Sequence, residues 1–288
     1  MAFGDSMKNT RGAGTGSTED FVNPWIDPLR GIYRTGRRVF RILPHVTSTG
    51  MAMQDEVPFA EYWIPVMKQG QQRQQRVMVD PYKPFSNPIW ERLYHDLPRE
   101  VNGKPNRDRV LAKQRFALSV LDKTKVIKLP NSKFAYPSEN GQYYAEVNGT
   151  TTKLDGTPSP LLQVRILEGS NGRPDGRHML QGLNDLAGSV TAPDNEDRVL
   201  QLYEFDIALR VTGEGTDTRR AFQVAGDFRP IAEEHVNLPR YDLKSWVKPW
   251  PHSVINALLD GEDFDEVIKD SGIVLFPQLE GATEEDSE

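Results

Sequence analysis

Between Gly31 and Lys128 flat rings and cations alternate along the chain. Tyr33-Arg34, Arg37-Arg38 and Phe40-Arg41 come first; Phe59, Tyr62 and Trp63 follow, then Lys68, Arg73 and Arg76; Lys113, Arg115 and Phe116 come next, ahead of Lys123, Lys125 and Lys128. Rings of this kind accept unstacked bases, at roughly 1 to 3 kcal/mol per base, while cations follow the phosphates. Each phosphate neutralised also releases condensed counterions. The candidate contact set is therefore Arg37, Arg38, Arg41, Tyr62, Trp63, Lys68, Arg73, Arg76, Lys113, Arg115 and Phe116, with a single nucleic-acid strand as the ligand. The competing reading is a packed interior, since Phe40, Phe59, Trp63 and Phe116 lie on strand-like runs, where rings more often fill a core. Tyr62 and Trp63 are neighbours, so a regular strand sends them to opposite faces and only one enters the interior of a barrel.

Charge sharpens the contrast. The 288 residues include 35 Lys+Arg and 41 Asp+Glu, a net charge of -6, which taken whole argues against a nucleic-acid ligand. By region the balance changes: Gly31 to Lys128 holds 18 basic and 9 acidic residues, while Gly261 to Glu288 holds 10 acids against Lys269 alone. The local field governs what docks where. A flexible acidic tail beside a cationic groove has a high effective concentration there, so it can occupy the groove until a nucleic acid displaces it, and then recruit protein partners. The simpler reading of such a tail is a solubiliser.

Catalytic chemistry finds no comparable pattern. The chain has 0 cysteines, which excludes disulfides, a thiolate nucleophile and Cys-type zinc or iron-sulfur sites. His45, His95, His178, His235 and His252 are scattered, with no His-x-x-x-His pair. No phosphate-binding glycine loop, dinucleotide fingerprint or Gly-x-Ser-x-Gly elbow is present. No enzyme activity, metal or cofactor is expected. No apolar run approaches the ~18 residues of a membrane-spanning helix.

The elements that would position the rings are short strands. Val39 to Leu43, Phe59 to Met67, Val77 to Val79, Arg115 to Leu121, Leu162 to Leu167, Leu202 to Thr212 and Ala221 to Val224 read as strands. Lys68 to Arg76 reads as a polar loop or hairpin tip, and Gly213-Glu214-Gly215 as a hairpin loop. Asn87 to Leu97 places Ile89, Trp90, Leu93, Tyr94 and Leu97 on one helical face. Met179 to Leu186, Tyr241 to Val247 and Pro251 to Leu259 are the other helical candidates. Many short strands with long connections predict a mainly β chain: an elaborated OB-type Greek-key barrel with small helical insertions and a helical C-terminal segment. The expected divisions are a flexible arm over 1–30, the barrel over 31–229, the helical segment over 230–276 and a disordered acidic tail over 277–288.

Gly36-Arg37-Arg38-Val39-Phe40-Arg41-Ile42-Leu43-Pro44, followed by Pro58-Phe59-Ala60, resembles the opening of the OB-fold domain in bacteriophage single-stranded DNA-binding proteins of the helix-destabilising type. Tyr203 to Ile207, leading through Val211 to Gly215 and on to Arg219, is similar to a motif late in the same domain. The resemblance spans about Gly31 to Phe228. It implies a cleft for single-stranded DNA with little sequence preference, protecting and melting strands in phage DNA replication and recombination, in the cytoplasm of the infected host cell. It also implies replication or recombination partners reached through the acidic tail, and self-association along DNA. Two departures stand out: Asp80 to Asp108, where some members bind zinc, has no cysteine and offers a Trp90-centred helix, and the N-terminus supplies only Lys8 and Arg11 as bases. The rival reading is a β-rich structural or interaction protein, a virion component or duplex-binding accessory.

Overall fold

The computed structural model describes residues 36–46, 52–53, 56–129, 134–138, 140–147, 150–170, 179–212, 219–226, 228, 235 and 238–280. The expected arm, the Gly213 to Gly215 loop and tail residues 281–288 lie outside these. The chain is mainly β. Seven antiparallel strands form the principal sheet: β1 (Gly36–Ile42), β2 (Val57–Lys68), β3 (Gln71–Val79), β4 (Lys113–Asp122), β5 (Gln163–Ser170), β6 (Asp206–Thr212) and β7 (Arg219–Gly226). Their order is β7-β6-β1-β4-β2-β3, with β5 added along the other edge of β4.

β4 organises the sheet because it has three partners. β5 pairs along it from Gln163↔Asp122 to Ser170↔Arg115. Its opposite edge is shared end to end, β1 at Phe40↔Asp122 to Ile42↔Val120 and β2 at Val57↔Ala117 to Glu61↔Lys113. β1 and β2 thus run in the same direction along β4 as two halves of one interrupted strand. Each half then pairs outward with a stagger, β1 with β6 through 36–40 and β2 with β3 through 60–68. Stagger of this kind is the shear that curls a sheet. Among the described residues β3 and β7 do not pair, and no closed barrel forms.

Local chemistry explains where the sequence expectation shifts. Lys68 to Arg76 is not mainly loop: β2 and β3 stay paired to Lys68↔Gln71, and the turn is only Gln69-Gly70. Both turn residues have positive φ, 50° and 72°, the combination whose twist matches a tight hairpin. The Asn87 to Leu97 segment is helical but wide-turned over Trp90–Tyr94, with the His95 N–H reaching Trp90 O at 2.8 Å. That extra residue per turn carries Leu93 off the buried face, and it stands exposed. Leu202 to Phe205 is a turn rather than strand, closed by Glu204 N–H to Gln201 O, and it sinks Leu202 and Phe205 into the core.

Two apolar clusters cover the sheet. One joins Phe40, Ile42, Phe116, Leu118 and Val120 to Leu183 of helix α1 (Met179–Ala187) and to Leu200, Leu202 and Phe205. The other joins Phe59, Tyr62, Ile64, Val77 and Val79 to the C-terminal helices α2 (Leu243–Trp246), α3 (His252–Leu259) and α4 (Phe264–Lys269). The C-terminal segment therefore shares a core with β2 and β3. Its own ends meet: Leu279 bridges Tyr241, Asp242 N–H donates to Gln278 O, and Glu280 N–H to Arg240 O. Residues 278–280, which fall within the expected tail, are held by these backbone contacts. Among the described residues no helix is long and apolar enough to cross a membrane.

Gly169 on β5 has the least room of the described glycines. A Cβ there would lie 2.5 Å from the fully buried Phe116 ring and 3.0 Å from Met179 Cβ. Gly169→Ala is expected to destabilise the fold by about 1 to 3 kcal/mol, as overpacking does. Chemical denaturation of the variant beside the parent measures it.

Candidate nucleic-acid interface

On β2, β4 and β5 the register puts Phe59, Glu61, Arg115 and Glu168 on one face, with Arg76 of β3 beside them. Arg76 donates from Nη2 to Glu168 Oε1 at 2.8 Å and from Nη1 to Oε2 at 3.2 Å, while its Nε lies against Glu61. Arg115 contacts the same Glu168, and its Nη1 lies 3.6 Å from Glu61 Oε1. The Arg76 guanidinium also sits 5.1 Å from the ring centres of Phe59 and of Trp246 in α2. Two arginines and two glutamates thus balance each other in the interior. Burial alone would raise the Glu168 carboxyl, but the Arg76 and Arg115 guanidiniums more than reverse this and hold it below the usual range.

A second charged group lies along β1 and β6. Arg41, almost fully buried, donates from Nε to Asp206 Oδ1 at 2.6 Å, and Lys123 Nζ is 2.6 Å from the other oxygen. A third lies at the β2–β3 turn. Lys68 Nζ is 2.9 Å from Asp265 and 5.0 Å from the Phe264 ring centre, and the Gln69 N–H donates to Asp263 at 2.8 Å.

These placements revise most of the expected contact set. Tyr62 is 2% exposed, stacked on Tyr94 with ring centres 6.0 Å apart, and burial pushes its phenol up to about 12. Phe116 is fully buried, and Arg38 is covered by the Tyr136 ring, 3.1 Å from its guanidinium carbon. In this conformation Arg38, Arg41, Tyr62 and Phe116 present no surface to a nucleic acid, because the sheet is covered on both faces. Arg76, Arg115 and Lys68 are engaged by Glu61, Glu168 and Asp265. Arg37, Arg73 and Lys113 remain exposed, and Trp63 is partly exposed. Trp63 shares the face of Glu61, whose register partner is Lys113, and lies opposite Arg76. The structure therefore does not bring the expected residues into one cleft. Instead it keeps one ring and three cations at the surface of β1 to β4.

The sequence reading missed exposed rings between β3 and β4. Tyr82 is 80% exposed and Phe85 58%, with the exposed Lys83 between them in sequence. The signal was present as Tyr-Lys-Pro-Phe, but the segment reads first as punctuation, with prolines at 81, 84 and 88. Among the described residues no group of His, Asp or Glu is arranged to hold a metal ion.

The buried network makes a pH prediction. Because the folded Glu168 pKa is depressed, its stabilisation is fully present above the unfolded value of about 4.3 and is lost as pH falls through the folded one. Stability should decline on acidification below about pH 4.3. Glu168→Gln should lose about 3 to 5 kcal/mol near neutrality, having left the largely buried Arg76 and the partly exposed Arg115 short of a partner, and should flatten that acid limb. Urea denaturation of both proteins from neutral to acid pH checks both statements.

Comparison with protein families, with curated proteins and with solved structures finds no match to this chain.

Proposed function

We propose that this protein binds single-stranded DNA with little sequence preference, protecting and melting single strands in phage DNA replication and recombination. The observation that carries the reading is Trp63: its ring reaches solvent on the sheet face it shares with the exposed Lys113, while the exposed Arg73 projects from the other face of the same hairpin. Ring and cation on one face supply stacking and phosphate contact without base-specific hydrogen bonds. In this reading the staggered, curled sheet is an OB-type Greek-key barrel left open at its outer strands. The infected host cytoplasm is the proposed place of action. Replication or recombination proteins are proposed as partners through the acidic C-terminus, with self-association along the strand.

A second reading keeps its place on one observation. Arg41, Lys68, Arg76 and Arg115 are engaged inside the chain, which leaves fewer cations for phosphate than the sequence offers. This favours a β-rich structural or interaction protein.

A titration with oligothymidine and with a duplex of equal length, followed by tryptophan fluorescence at two salt concentrations, separates the two. Strand binding predicts a response to the single strand and an affinity that falls steeply with salt. No response to either, in folded protein, leaves the interaction reading. Trp63→Ala should weaken strand binding by about 5-fold to about 100-fold, the range of one stacked base. Unchanged affinity in a folded variant would remove Trp63 from the site.

The acidic tail gives a separate expectation. Residues 281–288 carry Glu284, Glu285, Asp286 and Glu288 and no base. Their deletion should tighten strand binding at low salt and change little at high salt, where screening has removed the competition. Equal affinities across a salt series would leave the tail a solubiliser.

A further inference from the structure

The connection from β3 to β4 holds two large rings in water on a backbone that is tied down. The Asp80 carboxylate accepts the Tyr82 N–H at 2.9 Å, and the Asp80 carbonyl accepts the Lys83 N–H at 3.2 Å. A second turn follows, from Ser86 N–H to Lys83 O at 3.0 Å. Asn87 locks both to the helical segment: its amide donates to Pro84 O at 2.7 Å and its carbonyl accepts the Trp90 N–H at 2.9 Å. Gln114 of β4 donates to Pro81 O at 3.4 Å, one residue from Lys113. Pro81, Pro84 and Pro88 restrict the backbone between these anchors.

The rings are supported as well as exposed. Phe85 meets the nearly buried Trp90 edge to face, ring centres 5.2 Å apart at 68°, and the Arg109 guanidinium carbon lies 4.7 Å from the Trp90 ring centre. Phe85, Trp90 and Arg109 are thus linked in one ring-and-cation group rooted in the core.

We propose that the Asp80 to Ser86 turn is a stacking platform for unstacked bases of a single-stranded nucleic acid, with Tyr82 and Phe85 supplying the rings and Lys83 meeting the phosphate. Charge decides the occupant. An apolar protein surface covering both rings would also strip water from the Lys83 ammonium carried on the same turn, which is costly without a counter-charge. A strand supplies a flat base for each ring and a phosphate for the ammonium. The pinned backbone adds to affinity, since little ordering is left to do on binding. The platform rests on the strand-binding reading and adds a second contact to it, next along the chain from Lys113.

The full-length protein, titrated with oligothymidines of increasing length over a salt series, tests this together with three variants. The double variant Tyr82→Ala/Phe85→Ala should bind long oligomers about 10-fold to about 100-fold more weakly, and lose less on the shortest ones. Lys83→Gln should lower the slope of log affinity against log salt by about 0.7, one single-strand phosphate contact. Tyr82→Ala alone, with circular dichroism and melting unchanged, guards against a loosened Trp90. A parent that binds strands while all three variants match it overturns the platform and leaves the strand-binding reading intact, with Tyr82 and Phe85 then a protein contact. A folded parent that binds no single strand overturns both.

Discussion

Arg76 with Glu168 is the pair on which the sheet's shape depends, because it joins β3 to β5 across the two strands between them. Strands about 4.8 Å apart would hold β3 and β5 about 14 Å from one another in a flat sheet. A bidentate contact over that span requires the sheet to curl toward the face carrying Glu61 and Glu168. The curl in turn needs a filling, and Phe59 and Trp246 supply it together beside the Arg76 guanidinium, their own ring centres 5.8 Å apart. Glu61, Arg76 and Glu168, largely withdrawn from water, would each be costly alone; paired with one another and with the partly exposed Arg115, and with rings against the Arg76 cation, they offset most of that cost. Trp246 comes from the C-terminal segment, so the same interaction that bends the sheet fixes where that segment docks.

The same network changes what the charge of the sequence means. A basic zone between Gly31 and Lys128 reads as cationic surface only if its acids are elsewhere. Here Glu61 lies inside the zone, while Glu168, Asp206 and Asp265 arrive from far along the chain to meet Arg76, Arg41 and Lys68. The exposed cationic surface is therefore smaller and more scattered than the linear count suggests. Arg37 on β1, Arg73 on β3 and Lys113 at the start of β4 are its remnants on the sheet, and Lys83, Arg92, Arg99, Lys104 and Arg107 are exposed on the connection.

The legible parts of the fold were those where side-chain period and backbone agree. Gly36–Ile42, Val57–Lys68, Lys113–Asp122 and Gln163–Ser170 announce themselves through β-branched and aromatic runs. β3 did not, because Gln71 to Arg76 is polar on both faces, and its pairing comes from the Gln69-Gly70 turn and the backbone ladder. Phe264–Lys269 was hidden by its acids, although Asp263 caps it by accepting the Asp265 N–H at 2.9 Å. Of the candidate site, the alternation of Tyr62 and Trp63 was readable from one strand. The pairing of Arg76 and Arg115 was not, since it depends on residues some 50 to 90 positions away.

Register also limits where such a fold can present rings. On a strand, neighbouring side chains take opposite faces, and where both faces are covered, as along β2 and β4, every ring is driven inward whatever it could bind. Trp63 escapes only in part, at the stretch of β2 where burial thins toward Pro65. A turn has no such alternation, so Tyr82 and Phe85 can both face water while Asp80 and Asn87 hold the backbone beneath them. The sheet supplies rigidity and the connection supplies accessible chemistry, a division of labour common to sites carried on loops over a packed scaffold.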